Sequence, residues 1–162
     1  MQQDRVPADF YEANHYATEQ SVGYLMRRVL LSLTQQTGKL LEPVGLTSAQ
    51  WAPMFKMHAG KATTVAELAR ELQMDPGATT RLLDRLEAKG LCRRVRSEQD
   101  RRVVNLELTP EGTEVAGHIP VALSEVMNDH LAGFSRDEWL ALKGYLKRMI
   151  DNSEGIRDGC GS

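Results

Sequence analysis

Apolar residues recur with helical spacing in the first part of the chain. Between residues 18 and 41 they fall at i, i+3, i+4 and i+7, and the stripe comprises Val22, Leu25, Met26, Val29, Leu30 and Leu33. This period predicts an amphipathic helix. The stripe is broader than a small domain needs, so we expect it to pack against a further helix of this chain or against a second chain. The residues before it are expected to form a short arm or an extra turn.

Helix starts are marked at several later places by the side chains that cap them. A Ser or Thr followed three residues later by Glu or Gln forms a capping box, in which each side chain satisfies a backbone N–H of the first turn. Such pairs are Thr47 with Gln50, Thr64 with Glu67, and Ser135 with Glu138. Thr109 before Pro110 predicts a further start. We expect a kink or a 3₁₀ start at Pro53 and a helix interruption at Pro120.

Residues 64–90 predict two helices joined by a tight turn. Asp75 is a good N-cap and Pro76 suits the first helical position, so the second helix is expected to begin at Pro76. Leu82, Leu83 and Leu86 are expected to face inward. Gly90 is expected to end this helix in the left-handed conformation.

Two stretches after Gly90 alternate between apolar and polar residues and predict strands. They are Leu91 to Arg96 and Val103 to Leu108, separated by the polar run Ser97 to Arg102. Two turn-linked helices followed by a hairpin predict a winged helix-turn-helix, in a mainly α protein with a small β-hairpin wing. The predicted organisation is an arm and N-terminal helix at 1–45, the winged domain at 46–112, C-terminal helices at 113–155, and a glycine-rich flexible tail at 156–162.

The predicted hairpin is rich in arginine. An isolated charged run usually indicates a solvated face, but after a turn-linked helix pair guanidinium groups suit phosphates or a minor groove. Because N-terminal residues of a recognition helix point to base edges, we predict DNA contacts there and in the wing. The candidates are Thr64, Pro76, Gly77, Ala78, Thr80, Arg81, Arg85, Arg94, Arg96, Arg101 and Arg102.

Individual roles follow from the chemistry of these candidates. Arg81 is the preferred base-reading residue, because arginine to guanine is the commonest specific pair. Arg101 is expected in the minor groove, and Arg102 as a structural or phosphate partner. Asp84 would repel phosphate if unpaired, so it is expected to hold Arg85 or a wing arginine. Thr79 lies nearer the apolar side and is expected in the core.

The distribution of charge along the chain supports DNA binding better than the net charge does. The chain has 162 residues, enough for one domain with additional helices, and a net charge of only −2. Residues 61–102 carry ten Lys or Arg against seven Asp or Glu, whereas the remainder carries ten against fifteen. A basic segment in an acidic chain is consistent with one DNA-binding face.

Several other classes of protein are disfavoured by what the sequence lacks. It has no H-E-x-x-H, Walker, G-x-S-x-G or dinucleotide motif, so an enzyme is not expected. Two cysteines are too few for a disulfide framework, and the four histidines are too dispersed for zinc, so no metal or cofactor is expected. No signal segment or membrane span is apparent, which predicts a cytoplasmic protein. A protein-interaction module that binds no DNA is the alternative class.

Several linked motifs resemble the MarR family of bacterial transcriptional regulators. DRRVVNLELTPEG at 100–112 is similar to that family's D-x-R and L-T-x-x-G signature, carried here by Asp100, Arg102, Leu108, Thr109 and Gly112. ATTRLLDRLEAKGL at 78–91 resembles its recognition helix, and GLTSAQW at 45–51 its second helix; the resemblance covers roughly residues 20–150. It implies that the N- and C-terminal helices are dimerisation elements that intertwine in a homodimer. This dimer is expected to bind a pseudo-palindromic operator through its winged domains.

The resemblance also implies a repressor released by a small phenolic or aromatic carboxylate effector, bound between the dimer helices and the winged domain. Chemistry and location predict the ligand-binding residues His15, Tyr16, Arg28, Trp51, Met54, Phe55 and His58, with Trp51 and Met54 sandwiching a ring and Arg28 meeting a carboxylate. The same residues would also suit an aromatic-rich dimer core. A thiol-responsive regulator is a further alternative, although Cys92 is expected to pack as a small apolar residue and Cys160 lies in the predicted tail.

Overall fold

The structure, a computed structural model, describes residues 7–159 and contains there seven α-helices, one β-hairpin and three short 3₁₀ helices. The helices are α1 (Val22–Leu41), α2 (Trp51–His58), α3 (Val65–Glu71), α4 (Pro76–Ala88), α5 (Pro110–Gly117), α6 (Ile119–His130) and α7 (Arg136–Gly159). The strands are β1 (Cys92–Arg96) and β2 (Val104–Leu108), between α4 and α5. The predicted fold class, mainly α with a winged helix-turn-helix, is confirmed.

The chain divides into two compact units after Leu123. The first contains α1 to α5, the hairpin and the beginning of α6. Its core takes residues from almost every one of these elements, with the largest fully buried side chains being Leu41, Leu46, Met54, Leu68, Leu83, Leu86 and Ile119. Thr79 is also fully buried, which confirms its expected place in the core.

Capping side chains fix the helix starts much as the sequence predicts. Thr64 and Glu67 form a complete capping box at α3, and the Thr109 hydroxyl accepts the Gly112 N–H at the start of α5. The Ser135 and Glu138 pair likewise caps α7 in both directions. Helix α5 ends at Gly117, and Pro120 is the second residue of α6, so the expected interruption is present.

Two helices begin later than residue 18 and the Thr47–Gln50 capping box predict. Helix α1 starts at Val22, because Ser21 caps it by accepting the Tyr24 N–H, and residues 18–20 form a 3₁₀ turn instead. Helix α2 starts at Trp51, after an i to i+3 hydrogen bond from the Gln50 N–H to the Thr47 carbonyl. This agrees with the 3₁₀-type start expected near Pro53. The arm before α1 is held to it, since the Tyr11 hydroxyl accepts the Val22 N–H at 3.0 Å.

The wing is a two-stranded antiparallel hairpin in which Arg94 pairs with Leu106. Both strands are one residue shorter than predicted at the N-terminal end. Gly90 has a φ of 70°, which confirms the left-handed end of α4. Strand β2 is also attached to the chain before α3, because the Leu106 N–H donates to the Thr63 carbonyl at 2.8 Å.

Helices α1 and α7 both expose apolar side chains. On α1 these include Leu25, Val29 and Leu30, and on α7 they include Leu140, Tyr145 and Ile150. Helix α7 continues through Gly159, so part of the segment expected to be a flexible tail is helical. Cys160 lies outside the described residues.

Candidate nucleic-acid interface

The first turn of α4 is exposed, and its backbone conformation is fixed by a capping side chain and a proline. The Asp75 carboxylate accepts the Ala78 N–H at 2.9 Å, and Pro76 occupies the first helical position. Pro76, Gly77, Thr80, Arg81 and Arg85 are exposed, and Ala78 is half-buried. The predicted base-reading residues therefore share an accessible surface at the beginning and along one side of α4, while its leucines face the core.

The wing tip presents a second set of exposed cations. Arg96 and Arg101 border a shallow cavity of about 390 Å³ together with Ser97 and Glu98. Arg102 is exposed as well, although its side chain lies near the carboxylate of Asp100 at 3.2 Å. All three arginines are thus accessible on the wing, and their contact with DNA stays a prediction.

Asp100 shapes the turn at the wing tip. Its carboxylate accepts the backbone N–H of Arg102 at 3.0 Å as well as the guanidinium Nε at 3.2 Å. The backbone N–H of Arg102, and then its side chain, hold the pKa of Asp100 below its usual value. The D-x-R spacing thus has a local structural role, and Arg102 contributes its backbone N–H to the turn while keeping an exposed guanidinium.

Arg94 differs from the other wing arginines because its side chain folds back onto α4. Its Nε donates to a Glu87 carboxylate oxygen at 2.8 Å, and its terminal nitrogen contacts both Glu87 and Asp84. The Glu87 carboxylate also accepts the Arg94 backbone N–H at 2.7 Å. The expectation that Asp84 holds a wing arginine is confirmed, and Arg94 is that arginine.

Thr64 is also committed locally. Its hydroxyl oxygen accepts the Glu67 N–H at 3.2 Å, and the Glu67 carboxylate in turn accepts the backbone N–H groups of Thr63 and Thr64. The Thr63 backbone and side-chain hydrogen bonds are the largest causes that lower the pKa of Glu67. Thr64 thus sets the start of α3, and a contact of its half-buried side chain with DNA stays a prediction.

The base of the wing is fastened by the L-T-x-x-G residues. The Thr109 hydroxyl donates to the Gly90 carbonyl at 2.6 Å, and the Thr109 N–H donates to the Leu91 carbonyl at 3.1 Å. Gly112 packs so closely that a Cβ on it would lie 1.8 Å from the Leu91 carbonyl oxygen. These contacts fix the turn between α4 and β1, and with it the position of the wing beside the recognition helix.

The C-terminal end of α4 is tied to the connection between α1 and α2. The Lys89 ammonium donates to the Gly45 carbonyl at 2.6 Å and to the Gln50 side-chain oxygen at 2.8 Å. Gln50 is buried, and its side-chain oxygen also accepts the Thr47 N–H. Sequence reasoning missed both Lys89 and Glu87, because their partners lie on other elements that only the folded structure brings to α4.

The predicted effector residues are not gathered into one cavity. Met54 has no exposed surface and belongs to the core, so a ring placed between it and Trp51 would have to enter the core. Trp51 and Phe55 are half-buried, and the other four predicted residues are exposed. None of the seven lines the wing-tip cavity or the groove of about 460 Å³ between α2 and α4, whose walls include Pro53, Arg81 and Arg85. The Trp51 indole nitrogen is buried without a hydrogen-bond partner in the described part of the chain.

Cys92 has the environment of a packing residue. It is buried in the core, and this burial raises the pKa of its thiol to about 11. Since the thiolate is the reactive form, this environment disfavours a thiol sensor at Cys92. Within residues 7–153, whose side chains the structure describes, no three potential metal-ligating side chains cluster. In the described part of the chain no helix has the length and apolar character to cross a bilayer.

The exposed start of α4, the turn-linked α3 and the arginine-rich hairpin beside them define a winged helix-turn-helix DNA-binding protein. Residues 46–104 match the MarR family model. The chain is 30% identical to the HTH-type transcriptional repressor MdtR of Bacillus subtilis, over 83% of this chain and 91% of that protein. It is 28% identical to the multiple antibiotic resistance protein MarR of Escherichia coli, over 80% of this chain and 90% of that protein.

Solved structures agree with these sequence matches. A cysteine-to-serine mutant of MarR from E. coli complexed with operator DNA superposes with a TM-score of 0.72 at 27% identity, covering 79% of this chain and 92% of that one. The S. aureus MepR–DNA complex gives a TM-score of 0.74 at 25% identity, covering 82% and 97%. The chain belongs to the MarR family and is a DNA-binding transcriptional regulator, a class of protein whose activity is not enzymatic.

Proposed function

We propose that the protein is a homodimeric repressor that binds a pseudo-palindromic operator. The observation that carries this proposal is the surface formed by the first turn of α4 and the wing, where Arg81 and Arg85 on the helix accompany Arg96 and Arg101 on the hairpin. A helix N-terminus in a major groove with cations on the flanking backbone is the usual docking of this fold. The relative MdtR is a repressor by name, which supports repression over activation.

The exposed apolar faces of α1 and α7 support the homodimer. Leu30 is 64% exposed and Ile150 is 57% exposed, an arrangement that costs free energy in water unless another surface covers it. A two-fold dimer would cover these faces and would also set two recognition helices about one DNA turn apart, roughly 10 bp centre to centre. An operator with two related half-sites would match that symmetry.

Arg81→Ala and Arg101→Ala are expected to weaken DNA binding in different ways. Arg81→Ala should cost about 1–3 kcal/mol on the selected operator and much less on random duplex, because a base contact is lost. Arg101→Ala should weaken binding to both duplexes and lower the slope of log affinity against log salt by about 0.9, because a phosphate contact is lost. Fluorescence anisotropy over a salt series, on an operator selected from a random pool, measures both quantities.

Two outcomes would contradict these predictions. If Arg81→Ala loses the same factor on operator and random DNA, Arg81 does not read bases. If the wild-type chain selects no duplex even at low salt, the protein is not a DNA-binding repressor, and an interaction module becomes the better proposal.

We further propose that a small phenolic or aromatic carboxylate effector releases the protein from its operator. The Trp51 indole N–H supports this, since it is buried without a hydrogen-bond partner among the described residues and could donate to a ligand oxygen that entered beside it. Arg28 is exposed and could meet a carboxylate, with Tyr16, His15, Phe55 and His58 as the remaining predicted contacts. Binding at Met54 would additionally require the core to open.

An aromatic carboxylate should bind the free protein more tightly than the operator-bound protein. A 100-fold preference corresponds to a coupling free energy of about 2.7 kcal/mol, and DNA must weaken effector binding by the same factor. A thermal-shift screen of aromatic carboxylates followed by release of labelled operator tests this. Arg28→Ala and Trp51→Ala should each lose the response, and Arg27→Ala serves as the neighbouring control. A compound that releases operator equally from wild type and both variants would show that the effector binds elsewhere.

A further inference from the structure

Arg94 is the wing arginine with the fullest set of protein partners. Its side chain is 28% exposed, and its guanidinium reaches two carboxylates of α4, Glu87 and Asp84. Both the side chain and the backbone N–H of Arg94 donate to the Glu87 carboxylate, so this one carboxylate binds the main chain of β1 as well as a side chain from it. A hydrogen bond between ionised groups is stronger than a neutral one, and a planar guanidinium holds its partner in a fixed orientation.

The charges around Arg94 explain why this pairing matters for an anionic ligand. Asp84 lies on α4 between Arg81 and Arg85, three residues after the first and one before the second. An unpaired carboxylate there would repel a phosphate backbone and would compete for the two DNA-facing arginines. Contact with Arg94 offsets part of this charge, although the one guanidinium is shared between Asp84 and Glu87. The hydrogen bond to Arg94 is also the largest cause that lowers the pKa of Glu87, so Glu87 stays ionised and paired.

The wing has other attachments, and they act at different places. Thr109 fastens the turn before β1, and the Thr63 carbonyl holds β2 through the Leu106 N–H. Arg94 provides a side-chain link between the middle of β1 and the body of α4. Losing it would leave the hairpin formed and attached at its base, while freeing the hairpin to change its angle to the recognition helix.

We propose that Arg94 is a positioning residue for DNA recognition, which locks the wing to α4 through Glu87 and screens the Asp84 carboxylate from the DNA. This replaces the direct DNA contact that the sequence suggested for Arg94. It rests on the proposed function, since it assigns a role within the same DNA-binding surface. Glu87 then promotes DNA binding, although its negative charge alone would repel the DNA phosphates.

Neighbouring residues of the hairpin provide matched controls. Arg93 lies on the same strand, is 68% exposed, and pairs with Glu107 across the hairpin, with its Nε 2.8 Å from that carboxylate. Arg93→Ala therefore removes the same charge from the same strand without touching α4. Glu107→Gln similarly removes one negative charge from the wing and controls for Glu87→Gln.

The experiment measures affinity for a selected operator and for random duplex, over a salt series, at a temperature where circular dichroism shows every variant folded. Arg94→Ala and Glu87→Gln should each weaken operator binding by about tenfold, the size expected for one lost hydrogen bond between charged groups. The slope of log affinity against log salt concentration should stay at the wild-type value for Arg94→Ala, because no phosphate contact is lost. Arg94→Lys should resemble Arg94→Ala, since an ammonium cannot replace the planar fork. Arg93→Ala and Glu107→Gln should stay within about twofold of wild type.

Any of three results would overturn the proposal while leaving the proposed function intact. One is tighter operator binding by Glu87→Gln, the outcome of charge removal alone. Another is an Arg94→Ala variant whose salt slope falls by about 0.9 and whose affinity is restored in Arg94→Lys, which would make Arg94 a phosphate contact. A variant that loses thermal stability but keeps wild-type affinity and specificity when folded would show a purely structural role. If the wild-type chain selects no duplex at all, the proposed function itself fails.

Discussion

Gly112→Ala should reduce the free energy of unfolding by about 3 kcal/mol or more, because the added methyl group has no space. Its carbon would stand 1.8 Å from the Leu91 carbonyl oxygen and 2.7 Å from the carbonyl carbon, and these backbone atoms belong to the turn that starts the wing. The Leu91 carbonyl also accepts the Thr109 N–H, so it cannot move aside without losing that bond. Chemical denaturation followed by circular dichroism measures the loss.

Gly117→Ala is the matched control for this prediction. Gly117 ends the same helix, and a Cβ on it would meet nothing within 4 Å. Alanine there should leave stability unchanged or raise it by up to about 1 kcal/mol, because alanine favours helix more than glycine does. Similar unfolding free energies for the two variants would mean that the close approach at Gly112 does not constrain the fold.

Val29→Asp should convert the proposed dimer to a monomer and weaken operator binding on the order of 100-fold. Val29 lies on the exposed apolar face of α1, and a carboxylate there could not be buried against a second copy without a large desolvation cost. In the dimer, binding of one subunit holds the second DNA-binding domain at a high effective concentration near the other half-site. A monomer loses this gain in affinity. Light scattering at micromolar concentration gives the oligomeric state, and anisotropy on the full operator gives the affinity.

Gln35→Asp controls for the new charge and for the lower helix propensity of aspartate. Gln35 is an exposed polar residue of the same helix. This variant should remain dimeric and bind the operator as wild type does. A wild-type protein that is monomeric yet binds a single half-site with the same affinity as the full operator would refute the dimer itself.

The parts of the structure that the sequence predicted are those set by neighbouring residues. A capping box spans three residues, and a glycine end or a proline start is fixed by its own backbone preference. The starts of α3, α4, α5 and α7 and the turn at Gly90 are therefore where the sequence placed them. The start of α1 was placed at residue 18, too early, since residues 18–20 form a 3₁₀ turn and Ser21 caps the helix directly before the first apolar residue of the stripe, Val22.

The parts that the sequence did not predict depend on how different elements pack against one another. Arg94 belongs by composition to a basic wing, and only the packing of the hairpin against α4 brings it to Glu87. Met54 looked like a pocket residue because it follows Trp51 on one helical face, but tertiary packing buries it completely. The partners of Lys89 likewise lie at least 39 residues away. Charge and polarity along a chain indicate which side chains can bind, whereas the fold determines which are already occupied.

Lys89 connects the end of the recognition helix α4 to the segment between α1 and α2. Its ammonium joins α4 to Gly45 and Gln50, in the short connection that follows α1. A rotation of α1 that displaces this connection would therefore strain two short hydrogen bonds at the end of α4, within the reach that the flexible Lys89 side chain allows. The other end of α4 bears the exposed residues of its first turn, so we expect a displacement larger than that reach to change the tilt of α4 and the position of Arg81.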